Sequence, residues 1–134
     1  MTNLSILDIA GSALSAQSKR MNVTASNMAN VDSVGSNPGE AYKAKQVMFE
    51  ADNNGKGIGG VRVSQIVEDT APMRKEYRPG DELADEKGFV TLPNVNPVTE
   101  MVNMIAASRS YQANVEVMNT AKEMTLKTLS LGDA

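Results

Sequence analysis

The sequence predicts an α+β fold in which long N- and C-terminal helices pair as a coiled-coil-like region and a small β-rich module lies between them. Three observations predict it. An unbroken helical pattern occupies each end of the 134-residue chain, and between them Gly, Pro, Asn and Asp frame short alternating runs. The boundaries read as 1–33 for the first helix, 34–95 for the middle module and 96–134 for the second helix.

The first element runs from about Asn3 to Val31, with no Pro and with Gly11 as its only Gly. Leu7, Leu14, Met21 and Met28 recur every seven residues, and Leu4 and Ala25 stand three residues before two of them. A strict seven-residue apolar period sustains a coiled-coil seam. Gly11 and Ser18 at alternate positions permit close approach of a neighbouring backbone. At the helical rise such an element reaches roughly 42 Å.

Breakers then cluster from Asn30 to Gly39. In the middle, Lys45, Val47 and Phe49 alternate with Gln46 and Met48; Val61-Arg62-Val63 alternates and then slips at Ile66-Val67; Gly88 to Leu92 is a further β-like run. Asn53-Asn54-Gly55 and Arg78-Pro79-Gly80-Asp81 are turn sequences. A β-rich module this small is marginal alone and needs packing support.

The second helix opens at Asn96-Pro97, an N-cap followed by a residue suited to the first helical position, and Glu100 sits near the positive end of the dipole. No Gly or Pro interrupts Val98 to Leu131, and Gly132 is the expected stop. Met101, Met104, Ile105, Ser108, Tyr111, Val115, Met118 and Leu129 lie along one broad face, and Glu123 and Lys127 are spaced for an ion pair.

Composition limits the chemistry. The chain has no Cys and no His, which excludes thiol catalysis, structural zinc and every His-based triad. Its net charge of −3, without a Lys/Arg block, does not mark a nucleic-acid surface. No stretch is long and apolar enough to span a membrane, and no basic segment followed by an apolar run announces a cleaved secretory signal. With two Phe, three Tyr and no Trp the core is expected to be thin. Two long apolar stripes exceed what so small a module covers, and exposed apolar surface marks interaction. The physical reading is a protein that works by self-assembly or co-assembly, with no catalytic residue, cofactor or metal.

Other patterns weigh less. Gly55 to Gly60 spells GxGxxG, but the β-like Val61-Arg62-Val63 follows where a dinucleotide site needs a helix, so it reads as a hairpin loop. Asp81, Glu82, Asp85 and Glu86 read as a solvated loop; the enzymatic alternative is a small acid-dependent glycan hydrolase using Asp81 and Glu86. Met at 21, 28, 101, 104, 118 and 124 fills cores or suits surfaces that meet several different neighbours. Arg109 and Tyr111 are a solvated Arg beside a half-buried Tyr, or anchors in a subunit contact. Asn27 and Asn30 either end the helix through local backbone bonds or touch a partner.

Ala25-Ser26-Asn27-Met28-Ala29-Asn30 resembles the Asn-x-x-Asn signature of flagellar rod and hook axial proteins. Ser33, Gly35 and a delayed Tyr42 stand in, after an insertion, for the Thr, Gly and aromatic that usually follow. Gly88-Phe89-Val90, the run from Pro93 through Asn94, Asn96, Pro97 and Glu100 to Ile105, Ala107 to Tyr111, and Ala113-Asn114 resemble the rod pattern more specifically, with Gln112 where Glu is common. The resemblance implies an assembly interface at Leu4, Leu7, Leu14, Met21, Met28, Met101, Ile105, Arg109, Tyr111, Val115 and Met118. It implies a subunit of the proximal rod that crosses the periplasm, exported uncleaved through the flagellar type III apparatus. Its terminal helices would form an inner tube around a channel, beside further copies of itself and the rod proteins FlgB, FliE and FlgF. A related axial subunit of another rod layer, FlgB-like, is the nearest alternative.

Overall fold

A computed structural model describes residues 3–35, 39–53 and 59–133. Helix α1 spans Asn3–Ala29, strands β1 to β4 span Lys45–Asp52, Gly60–Glu68, Arg74–Tyr77 and Phe89–Leu92, and helix α2 spans Pro97–Gly132. The α+β expectation holds, and the β-rich module consists of two antiparallel pairs, β1–β2 and β3–β4.

The two helices pack antiparallel. Arg20 donates to Asn103 Oδ1 at 3.3 Å, and Asn27 Nδ2 to Glu100 Oε2 at 3.1 Å, so ascending positions on α1 meet descending positions on α2. On α2, Glu100, Ala107 and Ala121 are buried, with Met104, Tyr111, Asn114 and Met118 half-buried between them. Their spacing alternates between four and three, as a helix–helix seam requires. On α1 the rows Ala10–Gln17–Thr24 and Ala13–Arg20–Asn27 carry the same spacing, and Ala10, Thr24 and Asn27 are buried. α1 has 27 residues and α2 has 36, so the last turns of α2 run past Asn3 by about 14 Å.

Boundaries follow local chemistry. α1 stops at Ala29, two residues before the expected Val31, because Asn30 and Val31 already donate to Asn27 and Met28 in tight turns. α2 opens as expected: Asn96 Oδ1 accepts from Val98 and Thr99 N–H at 3.1 and 3.3 Å, and Pro97 takes the first position. Gly132 is the last helical residue rather than the stop, and Asp133 caps it. Glu123 and Lys127 do not form an ion pair.

The β1–β2 hairpin lies along α1. Asn27 holds Lys45 at one end, and Ser12 Oγ accepts from Val61 N–H at 3.1 Å at the other. From Ser12 to Asn27 the helix rises about 23 Å, and the strand from Lys45 to Ala51, the partner of Val61, covers about 20 Å, so the two elements nearly match in length. Gly60 permits the near end to close, since a Cβ there would fall 2.1 Å from Ser12 Oγ. The slip in alternation noticed in the sequence is a β-bulge: Met48 pairs with Gln65 but Phe49 with Val63, leaving Ser64 extra. Its hydroxyl donates to Met48 C=O at 3.2 Å. The turn at residues 54–58, with most of the GxGxxG pattern, lies outside the described residues.

β3 was not expected from sequence: Arg74, Lys75, Glu76 and Tyr77 are all exposed, so no buried face imprints an alternation. It pairs with β4, and Gly35 bridges to Thr91 on the far side of β4. Gly88, at φ 82°, takes the turn conformation that favours glycine, and a Cβ there would meet the Tyr77 ring at 2.8 Å. The buried set is small-sided: Val90, Leu92, Pro93 and Val95 with Ala41 and Ala44 below the module, and alanines along the helix seam. Among the described residues no aromatic is buried: Tyr42 and Tyr111 are half-buried, and Phe49, Tyr77 and Phe89 are exposed.

Candidate assembly interface

The joint between helices and module is held by three side chains. Asn27, 1 % exposed, makes four bonds. Its Nδ2 donates to Lys45 C=O at 2.8 Å and to Glu100 Oε2, and its Oδ1 accepts from Lys45 N–H at 3.0 Å and Tyr42 O–H at 2.8 Å. Both N–H donors and both lone pairs of the carboxamide are used, and the end of α1 is tied at once to β1 and to the first turn of α2. The local-backbone reading of Asn27 is therefore corrected: its partners are 15 to 73 residues away. Asn30 follows that reading, donating to Ser26 C=O at 2.8 Å.

Asn94 repeats the device. Its Oδ1 accepts from Ala44 N–H at 2.8 Å, and its Nδ2 donates to Asp69 and Ala71 carbonyls at 3.2 and 2.9 Å. Arg74, which sequence reasoning missed, donates to Pro93 C=O at 3.0 Å and Val31 C=O at 2.7 Å, tying the exit from α1 to the entry of α2. A charged residue in an exposed strand carries no sequence signal for such a role. Glu100 does more than face the helix dipole: it is buried and bonded to Asn27.

Of the expected interface residues, Leu7, Leu14, Met21 and Met28 are half-buried. They follow the Ala13–Arg20–Asn27 row by one residue, or about 100° of turn, and so border the seam. The side chain of Leu4 lies outside the described residues. Tyr111 and Met118 are half-buried at the seam, whereas Met101, Ile105, Arg109 and Val115 are exposed. Val98, Met101, Val102 and Ile105 form a stripe at helical spacing, each more than half exposed, and Met124, Leu126, Leu129 and Leu131 are exposed on the overhanging end. The helices thus bury one face in each other and leave apolar side chains on another.

Of the two acids of the enzymatic alternative, Glu86 is exposed and Asp81 half-buried. Asp81 Oδ1 accepts from Leu83 N–H at 2.9 Å and shapes an exposed loop. No described helix is long and apolar enough to cross a membrane.

Known proteins share both the ends and the whole. Residues 7–35 match the family described as flagella basal body rod protein, and residues 86–131 match the C-terminal region of flagellar basal body rod FlgEFG proteins. The flagellar basal-body rod protein FlgC of Yersinia enterocolitica is 62 % identical over 98 % of this chain and 99 % of its own length. That of Salmonella typhimurium is 58 % identical over the same shares, and that of Buchnera aphidicola from Acyrthosiphon pisum is 52 % identical over 99 % and 100 %. With that identity along its full length, and with the Asn-x-x-Asn and Asn-Pro motifs at the joint, the chain belongs to the FlgC family of flagellar basal-body rod proteins.

Proposed function

We propose that this chain is a structural subunit of the flagellar rod that assembles through its paired terminal helices and has no enzymatic role. The observation that carries the reading is the exposed stripe Val98, Met101, Val102 and Ile105, on a helix already paired along its other face. Apolar area of that kind is worth about 25 cal/mol per Å² once covered, which favours packing against further subunits. The exposed end of α2, which outreaches α1, supports contacts along the same axis.

In this reading the seam residues hold the two helices together, while Met101, Ile105, Arg109 and Val115 face neighbours. Leu7, Leu14, Met21 and Met28, at the border of the seam, contribute to both. The neighbours are other copies and the adjoining rod proteins FlgB, FliE and FlgF, in the proximal rod crossing the periplasm. The chain travels there uncleaved through the flagellar type III apparatus. Folding of the ends is completed by assembly, because the seam buries mainly alanine and small polar groups, which contribute little apolar area.

Val102→Asp and Ile105→Asp test the reading. Both positions are exposed in the single chain, so the soluble protein keeps its secretion and secondary structure while basal bodies stop short of a complete rod. Normal motility with both substitutions present would remove the assembly face.

A further inference from the structure

Hydrogen bonds tie the hairpin to α1 near its two ends, at Asn27–Lys45 and Ser12–Val61. A crevice of about 370 Å³ opens between α1, β1 and the first turns of α2. Two cations line it, Arg20 and Lys45, along with the apolar Val47 and Phe49. The carboxylate on the same wall, Glu100, is buried and already engaged by Asn27. Arg20 donates to a neutral amide, Asn103, and the Lys45 ammonium lies 5.8 Å from the Tyr42 ring centroid. Among the described residues neither cation is in an ion pair; the three pairs join Lys43 to Glu68, Arg62 to Glu50 and Arg78 to Glu76.

The loop between β3 and β4 presents the complement. Asp81 and Asp85 turn inward to cap backbone N–H groups of Leu83, Lys87 and Phe89, and so give the loop its shape. Glu82 and Glu86 are left exposed, without an ion pair among the described residues, and Leu83 between them is 41 % exposed. Within one chain no bond joins this loop to the crevice.

We propose that the loop Asp81–Glu86 of one copy docks into the Arg20–Lys45 crevice of the next, with Glu82 and Glu86 facing the two cations and Leu83 against Phe49. The inference rests on the rod-subunit reading and names one of its contacts. The two patches differ, so the contact is head-to-tail: each copy offers a free crevice and a free loop, and repetition gives an open helical array rather than a closed dimer. Opposite charges brought together at a half-buried site select register and partner more than they add affinity.

Because the chain has no cysteine, a designed pair reports the contact without background. Lys45→Cys with Glu86→Cys, in the full-length chain within isolated basal bodies, is expected to give disulfide-linked dimers and higher multimers of this chain on oxidation. Lys45→Cys with Glu76→Cys is expected to give none. In an otherwise unchanged chain, Arg20→Glu with Lys45→Glu is expected to lower motile cells about tenfold, and adding Glu82→Lys with Glu86→Lys to restore them. Complete rods that contain the cysteine pair but form no 45–86 crosslink overturn the proposal while leaving the rod reading intact. So does a crosslink to a different rod protein. If the cysteine pair does not enter rods, failure of the charge swap to restore motility overturns it. Rods that never contain the unsubstituted chain overturn both.

Discussion

The carboxamide of Asn27 and the carboxylate of Glu100 meet at 3.1 Å across 73 residues of sequence, at a point where both helices and the hairpin converge. Glu100 is 6 % exposed, so this amide takes the place of the water that burial excludes from its carboxyl group. The same amide pairs with both backbone groups of Lys45, as a neighbouring strand would.

Replacing Asn27 by Ala strands Lys45 N–H and C=O and Glu100 at once, and leaves Tyr42 O–H with Ser26 Oγ alone. The expected loss is about 2–4 kcal/mol of unfolding free energy in urea titration. Asn27→Asp is nearly the same shape but sets a second carboxylate beside Glu100, and adding Glu100→Gln should recover part of its loss. Strict additivity of the two substitutions would mean that the residues do not communicate.

Gln17 lies on the row between Ala10 and Thr24, and its Oε1 is buried without a hydrogen-bond partner. A buried unsatisfied acceptor costs about 1–3 kcal/mol, so Gln17→Leu, of similar volume, is expected to stabilise the helix pair by about 1–2 kcal/mol. Thermal unfolding followed at the helical circular-dichroism band would rise by roughly 3–8 °C. An unchanged or lower Tm would show that the position is already satisfied in solution.

The helices and their order were legible because periodicity and capping are local signals. Asn96, Pro97 and the missing breakers marked α2 within a residue or two. The heptad of Leu7, Leu14, Met21 and Met28 led to a neighbouring row of the true seam, because that seam is built from Ala10, Gln17, Thr24 and Asn27, which hydropathy ranks low. The slip at Ile66 was visible, but its cause, the extra Ser64, needs the partner strand. Asn27, Asn94 and Arg74 act through backbone groups distant in sequence, and pattern reading carries no information about those. The first two were found only through the family motif.

Ser12 and Gly60 test how rigidly the hairpin rides on α1. Gly60→Ala places a methyl against Ser12 Oγ, and overpacking of this kind costs about 1–3 kcal/mol. Ser12→Gly in the same chain removes the clash but also the acceptor for Val61 N–H, so rescue should be partial. Hydrogen exchange at Val61 reads both effects: faster in either single variant than in the native chain. Unaltered exchange in Gly60→Ala would mean that the hairpin is not seated on Ser12.

Asp85 organises the docking loop, and its titration reports on it. The Phe89 N–H bond at 2.9 Å is the main cause that holds its carboxyl below the ordinary aspartate value, with Lys87 N–H and the charges of Lys75 and Lys87 adding to it. The folded carboxyl therefore loses its charge at lower pH than the unfolded one. Its contribution to loop stability is complete above about pH 3.9, the unfolded value, and fades as pH falls through the folded value. NMR titration is expected to show the Asp85 carboxyl, and the amides of Lys87 and Phe89 with it, moving at a midpoint below that of Asp in an unstructured peptide. Asp85→Asn keeps an oxygen acceptor for both amides and should abolish their acid-induced shift without opening the loop. Amides that still titrate at the same midpoint in Asp85→Asn would assign the transition to another acid of the loop.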